Sequence, residues 1–228
     1  MKTIEKYAPS DLSEVIFGNK SSQYLVNAIG TSAFDCHVLL HGPHGTGKTT
    51  TAELLAQAIG GEDAMVETKD FNTVLAMPDL KDYLSRCASL ARFTSSGKYF
   101  VIWNEFDNAK ANPYALWTAL DDLGSGVMMI LTTNNFMKIH PSLRSRCKVV
   151  EMPALTAQDV LPRAQWILQQ EGLELGRDQL LTYLKPQQVT GDLRKYFGEL
   201  DKLLYLHSQG LPMPPWNPAA TRHVMRVV

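Results

Sequence analysis

The stretch from His37 to Thr51, His-Val-Leu-Leu-His-Gly-Pro-His-Gly-Thr-Gly-Lys-Thr-Thr-Thr, constrains this chain more than any other, because a buried strand, a glycine-rich turn and a helix start follow without a break. Residues 42 to 49 match G-x-x-x-x-G-K-[ST] in full. In that pattern Gly42, Gly45 and Gly47 let the backbone approach anionic oxygens, with Pro43, His44, Thr46 and Thr50 completing the loop and the helix start. Lys48 adds a point charge, and Thr49 offers a hydroxyl to Mg²⁺. A glycine-rich turn by itself carries no such meaning. Here the apolar Val38-Leu-Leu40 before it and the helical Ala52-Glu-Leu-Leu-Ala-Gln-Ala58 after it supply the context, so the loop reads as a cradle for a nucleoside triphosphate and Mg²⁺.

The chain has 228 residues, 45% of them apolar and 20% charged, enough for one large core or a core with a small appendage. Its three cysteines, Cys36, Cys87 and Cys147, are scattered and form no C-x-x-C pair, so neither a disulfide framework nor a zinc site is indicated. No apolar run reaches membrane-spanning length, and Met1-Lys-Thr-Ile-Glu-Lys6 lacks the apolar centre of a signal peptide. A reducing, cytoplasmic setting with no membrane partner is therefore expected. The net charge of −1 provides no global field to draw the chain onto nucleic acid; any such binding rests on a local patch or on several subunits together.

Read in order, Met1 to Gly18 is too short and too broken by Pro9 for a domain, and should lie against something. Asn19 to Gly30 has helical spacing and ends at a glycine, as helix C-caps often do. After the cradle, Ala64 to Thr68 reads as a strand and Pro78 to Phe93 as an amphipathic helix. Lys98-Tyr-Phe-Val-Ile-Trp103 is a buried strand that delivers Asn104-Glu-Phe-Asp107 to its C-terminal end, where ligands sit in α/β sheets. Asn112 to Leu123 reads as a helix, Val127 to Thr133 as a buried strand ending in Asn134-Asn135, Pro141 to Arg146 as a short helix, and Lys148 to Met152 as a last strand. Apolar strands alternating with helices predict a parallel sheet sandwiched by helices, an α/β P-loop domain over residues 1–153. Ala157 to Gln170, Arg177 to Leu184 and Gly191 to His207 are helical by period with no strand among them, which predicts a small all-helical lid over 154–207 and a proline-rich tail over 208–228.

Strand ends supply the partners a triphosphate cradle needs. Glu105 is placed to orient and polarise an attacking water, and the residue before it, which holds the water shell of the metal, is Asn104. Asn134 is placed to hydrogen-bond the γ-phosphate or that water; its rival reading is a plain turn asparagine. Lys138, Arg144, Arg146 and Lys148 form a basic cluster, either a solvated loop or a source of an arginine that reaches a γ-phosphate across a subunit interface. Arg194, in the first turn of a lid helix, could bend back to a nucleotide. His41 and His44 have no carboxylate or cysteine at ligand spacing and read as packing or loop histidines.

Together these residues resemble an AAA+ ATPase (RecA-like core), and more narrowly the small subunit of sliding-clamp loaders of the replication factor C and phage type. Glu5-Lys-Tyr-Ala-Pro9 is similar to the family's E-K-Y-R-P, which packs beside the adenine; it implies nucleotide contacts at Tyr7 and Pro9, and further along at Val15 and Ile16. Gly42 to Thr49 matches Walker A, Val101 to Asp107 resembles Walker B, and Asn134 falls on sensor 1. Pro141-Ser-Leu-Arg-Ser-Arg-Cys147 is similar to the family's P-x-x-S-R-C box, making Arg146 the finger that acts on a neighbouring subunit's ATP. Thr190-Gly-Asp-Leu-Arg194 resembles the lid's G-D-x-R and makes Arg194 the sensor 2 candidate. The resemblance implies ATP and Mg²⁺, a homo- or hetero-oligomeric ring or spiral, a sliding clamp, and primer-template DNA contacted without sequence preference by Lys81 and Arg86.

The sequence departs from the family at Ala8, Asn104 and Trp117, where arginine, aspartate and arginine are usual, and a form without the helical collar that follows the family's lid is expected. The implied function is an ATP-dependent clamp-loader ATPase, weak alone and stimulated by DNA and neighbouring subunits. The alternatives are a DNA-associated AAA+ recruiter, such as a helicase loader or transposition regulator, and an ATP-binding module with little turnover.

Overall fold

A computed structural model describes residues 2–70, 80–106, 120–121 and 124–214. Its contacts divide the chain into two units, one built from residues 9–15 and 19–153 and one from 2–8, 16–18 and 154–214.

The first unit holds five parallel strands: β1 (His37–His41), β2 (Met65–Asp70), β3 (Tyr99–Asn104), β4 (Val127–Thr133) and β5 (Cys147–Glu151), in the order β2-β3-β4-β1-β5. Every residue of β4 is buried, as its unbroken apolar run requires of a central strand covered on both faces. Alternation of side chains across the pleat sends Leu39, Val101, Trp103, Met129 and Leu131 into one core with Tyr83, Leu84 and Cys87 of the helix Leu80–Leu90. Val38, Leu40, Phe100, Ile102 and Ile130, equally buried, face the other way. Two helices in contact, Lys20–Gly30 and Lys48–Gly60, flank β1 in the chain and belong to this unit, and the second packs on β1, β3 and β4.

The Lys20–Gly30 helix ends where expected but for a different reason. Its cap is Thr31, the left-handed residue is Ser32 (φ 59°), and Gly30 is needed because a Cβ there would lie 2.7 Å from Leu12 Cδ1. The helix expected over Pro141 to Arg146 is shorter, Pro141–Arg144, so Arg146 sits in the turn that leads into β5. The strand expected over Lys148 to Met152 is shifted by one residue, because Cys147 already pairs with His37 of β1. Of the helix expected over Asn112 to Leu123 only 120–121 are described, and both are helical; Trp117, Asp107, the Pro78 start and the segment beyond Pro214 lie outside the described residues.

The second unit contains the helices Thr3–Lys6, Ala157–Gln170, Arg177–Leu184 and Leu193–Ser208 around Leu161, Ile167, Leu180, Tyr196 and Leu200. Thr156 starts the first long helix through a capping box with Asp159. Gly191 has φ 62°, and a Cβ on it would sit 2.9 Å from the Leu155 nitrogen, whose N–H donates to Gly191 O at 3.2 Å. Glycine therefore allows two backbones to meet just before Asp192 caps Leu193–Ser208. Residues 2–8 do lie against something: Thr3 N–H donates to Asp201 Oδ1 at 2.9 Å, and the Tyr7 ring meets Trp166 edge-on at 5.5 Å.

Candidate functional site

The cradle hangs between the ends of two strands. Gly42 N–H donates to Thr133 O of β4 at 3.3 Å, while Met152 N–H, just past β5, donates to His41 O at 2.7 Å. A Cβ at Gly42 (φ 148°) would lie 1.9 Å from Met152 O, so no other residue fits this crossing. Gly45 and Gly47 take φ of 72° and 86°, which turns the loop so that its amides and the start of the Lys48–Gly60 helix face the same space. Thr46, 1% exposed, pins the loop from inside by donating its hydroxyl to Pro43 O at 3.1 Å. Lys48, a residue only 8% exposed, donates its ammonium to Gly42 O at 2.8 Å and Pro43 O at 2.6 Å, which aims it along the loop. His41 is held below the ordinary imidazole range chiefly by burial, with Lys48 acting in the same direction, so it adds no charge beside the cradle at neutral pH.

Strand order brings the other candidates to this edge. Because β4 lies between β1 and β3, the ends of the three strands present Gly42, Asn134, and Asn104 with Glu105 as neighbours. Thr49 Oγ1 donates to Asn104 Oδ1 at 3.1 Å, and Thr132 Oγ1 donates to the same oxygen at 3.1 Å. Glu105 N–H in turn donates to Thr132 Oγ1 at 3.3 Å. Thr132, 3% exposed, is the residue that sequence reasoning passed over: it ties the Asn104 amide to the backbone of Glu105. Glu105 takes φ 52°, unusual for a non-glycine residue, and its side chain is exposed at the strand end.

These oxygens suit Mg²⁺, which takes hard oxygen ligands, keeps several waters and uses few protein groups. The Thr49 hydroxyl gives its proton to Asn104 and so turns its lone pairs outward to a cation, and Asn104 would lie behind a bound water. An aspartate would present a second oxygen and a charge where Asn104 presents an NH₂ group. Asn104→Asp is accordingly expected to lower the Mg²⁺ concentration for half-maximal nucleotide binding by up to about tenfold, the size of one partly screened charge. A Mg²⁺ titration of fluorescent-ATP binding measures this, and an unchanged midpoint counts against a cation beside Thr49.

The basic cluster does not act as one patch. Arg144 lies over the Phe136 ring at 4.6 Å, that ring meets His41 at 4.5 Å, and Lys148 lies over Phe34 at 4.6 Å. Lys138 is exposed. Arg146 is engaged by Asp121, with Nε to Oδ1 and Nη2 to Oδ2 both 2.6 Å. Its neighbour Cys147 is half-buried, and desolvation pushes its thiol up to about 12. Lys81 and Arg86 are both exposed on Leu80–Leu90, about 140° apart around the helix at roughly 100° per residue.

Pro9 and Val15, both half-buried, belong to the α/β unit. Tyr7, Ile16 and Arg194 belong to the helical unit. There Tyr7 Oη donates to Glu171 Oε1 at 2.7 Å, Lys6 pairs with the same carboxylate at 2.5 Å, and Ile16 packs against the helical core. Arg194 is exposed in the first turn of Leu193–Ser208, where its N–H donates to the Asp192 cap at 2.8 Å.

A family model described as "ATPase family associated with various cellular activities (AAA)" matches residues 38–153, from β1 through the cradle to the end of the sheet. The chain belongs to the AAA family. It is 31% identical over 201 residues to the replication factor C small subunit of Thermofilum pendens, covering 86% of this chain and 61% of that protein. It is 28% identical to replication factor C subunit 3 of Blastobotrys adeninivorans, covering 84% and 57%, and 27% identical to the sliding-clamp-loader large subunit of Escherichia phage RB69, covering 87% and 63%. This AAA chain thus spans about three-fifths of the length of these relatives. In fold it is similar to the RuvB Holliday junction branch migration motor of Thermotoga maritima, with a TM-score of 0.67 at 17% identity over 95% of this chain and 71% of that one. Among the described residues no helix is long and apolar enough to cross a membrane.

Proposed function

We propose that this AAA chain is an ATPase subunit of clamp-loader type, which binds ATP and Mg²⁺ in the Gly42–Thr49 cradle, assembles with like subunits, and acts on primer-template DNA and a sliding clamp. The observation that carries the proposal is the similarity to clamp-loader subunits along 84–87% of the chain, well beyond the AAA match, in a protein whose strand ends assemble cradle, Asn104, Glu105 and Asn134 on one edge. Lys48, the loop amides and the helix start hold the phosphates. Mg²⁺, when bound beside Thr49 and Asn104, neutralises charge on them. Glu105 orients and polarises the water, Asn134 fixes its approach, and Arg146 of a neighbouring subunit meets the developing charge. Pro9 and Val15, on the unit that holds the cradle, flank the base.

The test is ATP-dependent capture of the cognate sliding clamp by the full chain with its partner subunits, alongside ATP turnover with and without primed DNA. Capture with DNA-stimulated turnover is expected. DNA-dependent assembly without clamp capture would instead make the chain an AAA recruiter, and ATP binding without turnover would make it a binding module.

Contacts from Lys81 to phosphate are independent of sequence. Lys81→Ala should weaken DNA binding equally across sequences and reduce the salt slope of log Kd by about 1. An unchanged slope in fluorescence anisotropy titrations over a salt series removes Lys81 from the DNA face.

A further inference from the structure

Arg146 lies in the two-residue turn that leads from the Pro141–Arg144 helix into β5, and its guanidinium is held by three hydrogen bonds. Nε and Nη2 donate to the two oxygens of Asp121, each at 2.6 Å, and Nη1 donates to Ser142 O at 2.8 Å. Asp121 is itself anchored: its neighbour Leu120, 6% exposed, is part of the core shared by β1, β3 and β4. Ser142 belongs to the short Pro141–Arg144 helix, whose Leu143 is fully buried in the same core. Both groups that grip the guanidinium are thus tied to the sheet, while its own side chain remains one-third exposed.

A guanidinium has five N–H donors, and three are engaged here, which leaves one on Nη1 and one on Nη2. One N–H on each terminal nitrogen can donate to two phosphate oxygens. We infer that Asp121 is a positioning residue for Arg146, fixing the guanidinium plane so that its remaining Nη1 and Nη2 donors present a preformed fork to the γ-phosphate held by the neighbouring subunit. The inference rests on the reading of Arg146 as the finger. Asp121 touches neither nucleotide nor water; it acts through the arginine, by sparing the transition state the ordering of a long side chain. The pair keeps its charges, since the hydrogen bonds hold the Asp121 carboxyl below the ordinary carboxylate range and raise Arg146.

The experiment compares Asp121→Asn, Asp121→Glu and Arg146→Ala with the unaltered protein, each assembled with ATP, primed DNA and clamp, and reads kcat and KM for ATP. Binding of a fluorescent ATP analogue to the isolated chains is measured alongside. Asp121→Asn, which keeps shape but loses one acceptor and the charge, is expected to lower kcat about tenfold with KM little changed, and Asp121→Glu to recover most of the loss. Analogue binding and melting temperature should stay as in the unaltered protein, because an exposed ion pair adds little to stability. Three results overturn the inference: normal kcat in Asp121→Asn when Arg146→Ala is inactive, a kcat above normal in Asp121→Asn, or no recovery in Asp121→Glu. Normal kcat in Arg146→Ala would instead remove the finger reading on which the inference stands.

Discussion

Arg146→Ala is expected to lower ATP turnover of the assembled protein by about 10³-fold or more while leaving ATP binding by the isolated chain intact. The magnitude follows from what an arginine does at a phosphoryl group. It stays charged, its planar fork matches two oxygens, and it meets charge that is larger in the transition state than in bound ATP. The residue lies in the turn before β5, an edge strand of the sheet, and is steered by Asp121 and Ser142 rather than by any group of the cradle. That arrangement suits action on a neighbour's nucleotide and predicts a specific behaviour in mixtures. Arg146→Ala chains keep a complete cradle but lend no finger, whereas Glu105→Gln chains lend a finger to a disabled cradle. Mixed in equal amounts in a head-to-tail ring, about a quarter of the interfaces would join an intact Glu105 to an intact Arg146. Turnover should then reappear from two inactive preparations. Turnover of pure Arg146→Ala within about threefold of normal sinks the finger assignment, given the 10³-fold expected; loss without recovery in the mixture places the arginine at its own chain's site.

The parts of this molecule that could be read before any coordinates are those whose cause is local. The cradle is legible because three glycines, a lysine and a threonine act within eight consecutive positions, and the backbone angles of Gly42, Gly45 and Gly47 are the reason glycine stands there. Ala157–Gln170 and Arg177–Leu184 fall on the residues expected from their apolar period, helped by the Thr156 and Asp159 capping pair. What could not be read depends on which strands are neighbours. Thr132 and Asn104 are 28 residues apart and meet only because β3 and β4 pair with Trp103 opposite Leu131. Asp121 and Arg146 are 25 residues apart, and no spacing rule links a carboxylate on one helix to an arginine in a later turn. Gly30 belongs with these: its contact with Leu12 comes from the packing of a preceding turn, whereas capping is a local property of the helix end. Tyr7 was legible only by resemblance, and its bonded partner Glu171 lies 164 residues away.

The second large effect is expected at Glu105. Replacing it with glutamine keeps the size of the side chain and its capacity to accept a hydrogen bond, but removes the negative charge that polarises a water. Turnover in the assembly should fall by about 10²- to 10³-fold, within the usual range for a positioned acid or base, while ATP and DNA binding persist. The backbone at this residue explains why glutamine is the right probe. Glu105 sits at φ 52° with its N–H on Thr132 Oγ1, and that hydroxyl is committed to Asn104, which accepts from Thr49 of the cradle. The strand end is therefore locked to the nucleotide loop through side chains that the substitution does not touch, so a change in rate reports the carboxylate itself. Single-turnover measurements with pre-bound ATP separate the possibilities. A slow chemical step with normal binding assigns the carboxylate to the water. Normal turnover in Glu105→Gln, together with the expected loss in Arg146→Ala, would mean that water is activated by the phosphate and the finger alone. Turnover that is already negligible in the unaltered assembly would mean that Asn104, by removing the charge usual at its position, has left a site that holds ATP without spending it.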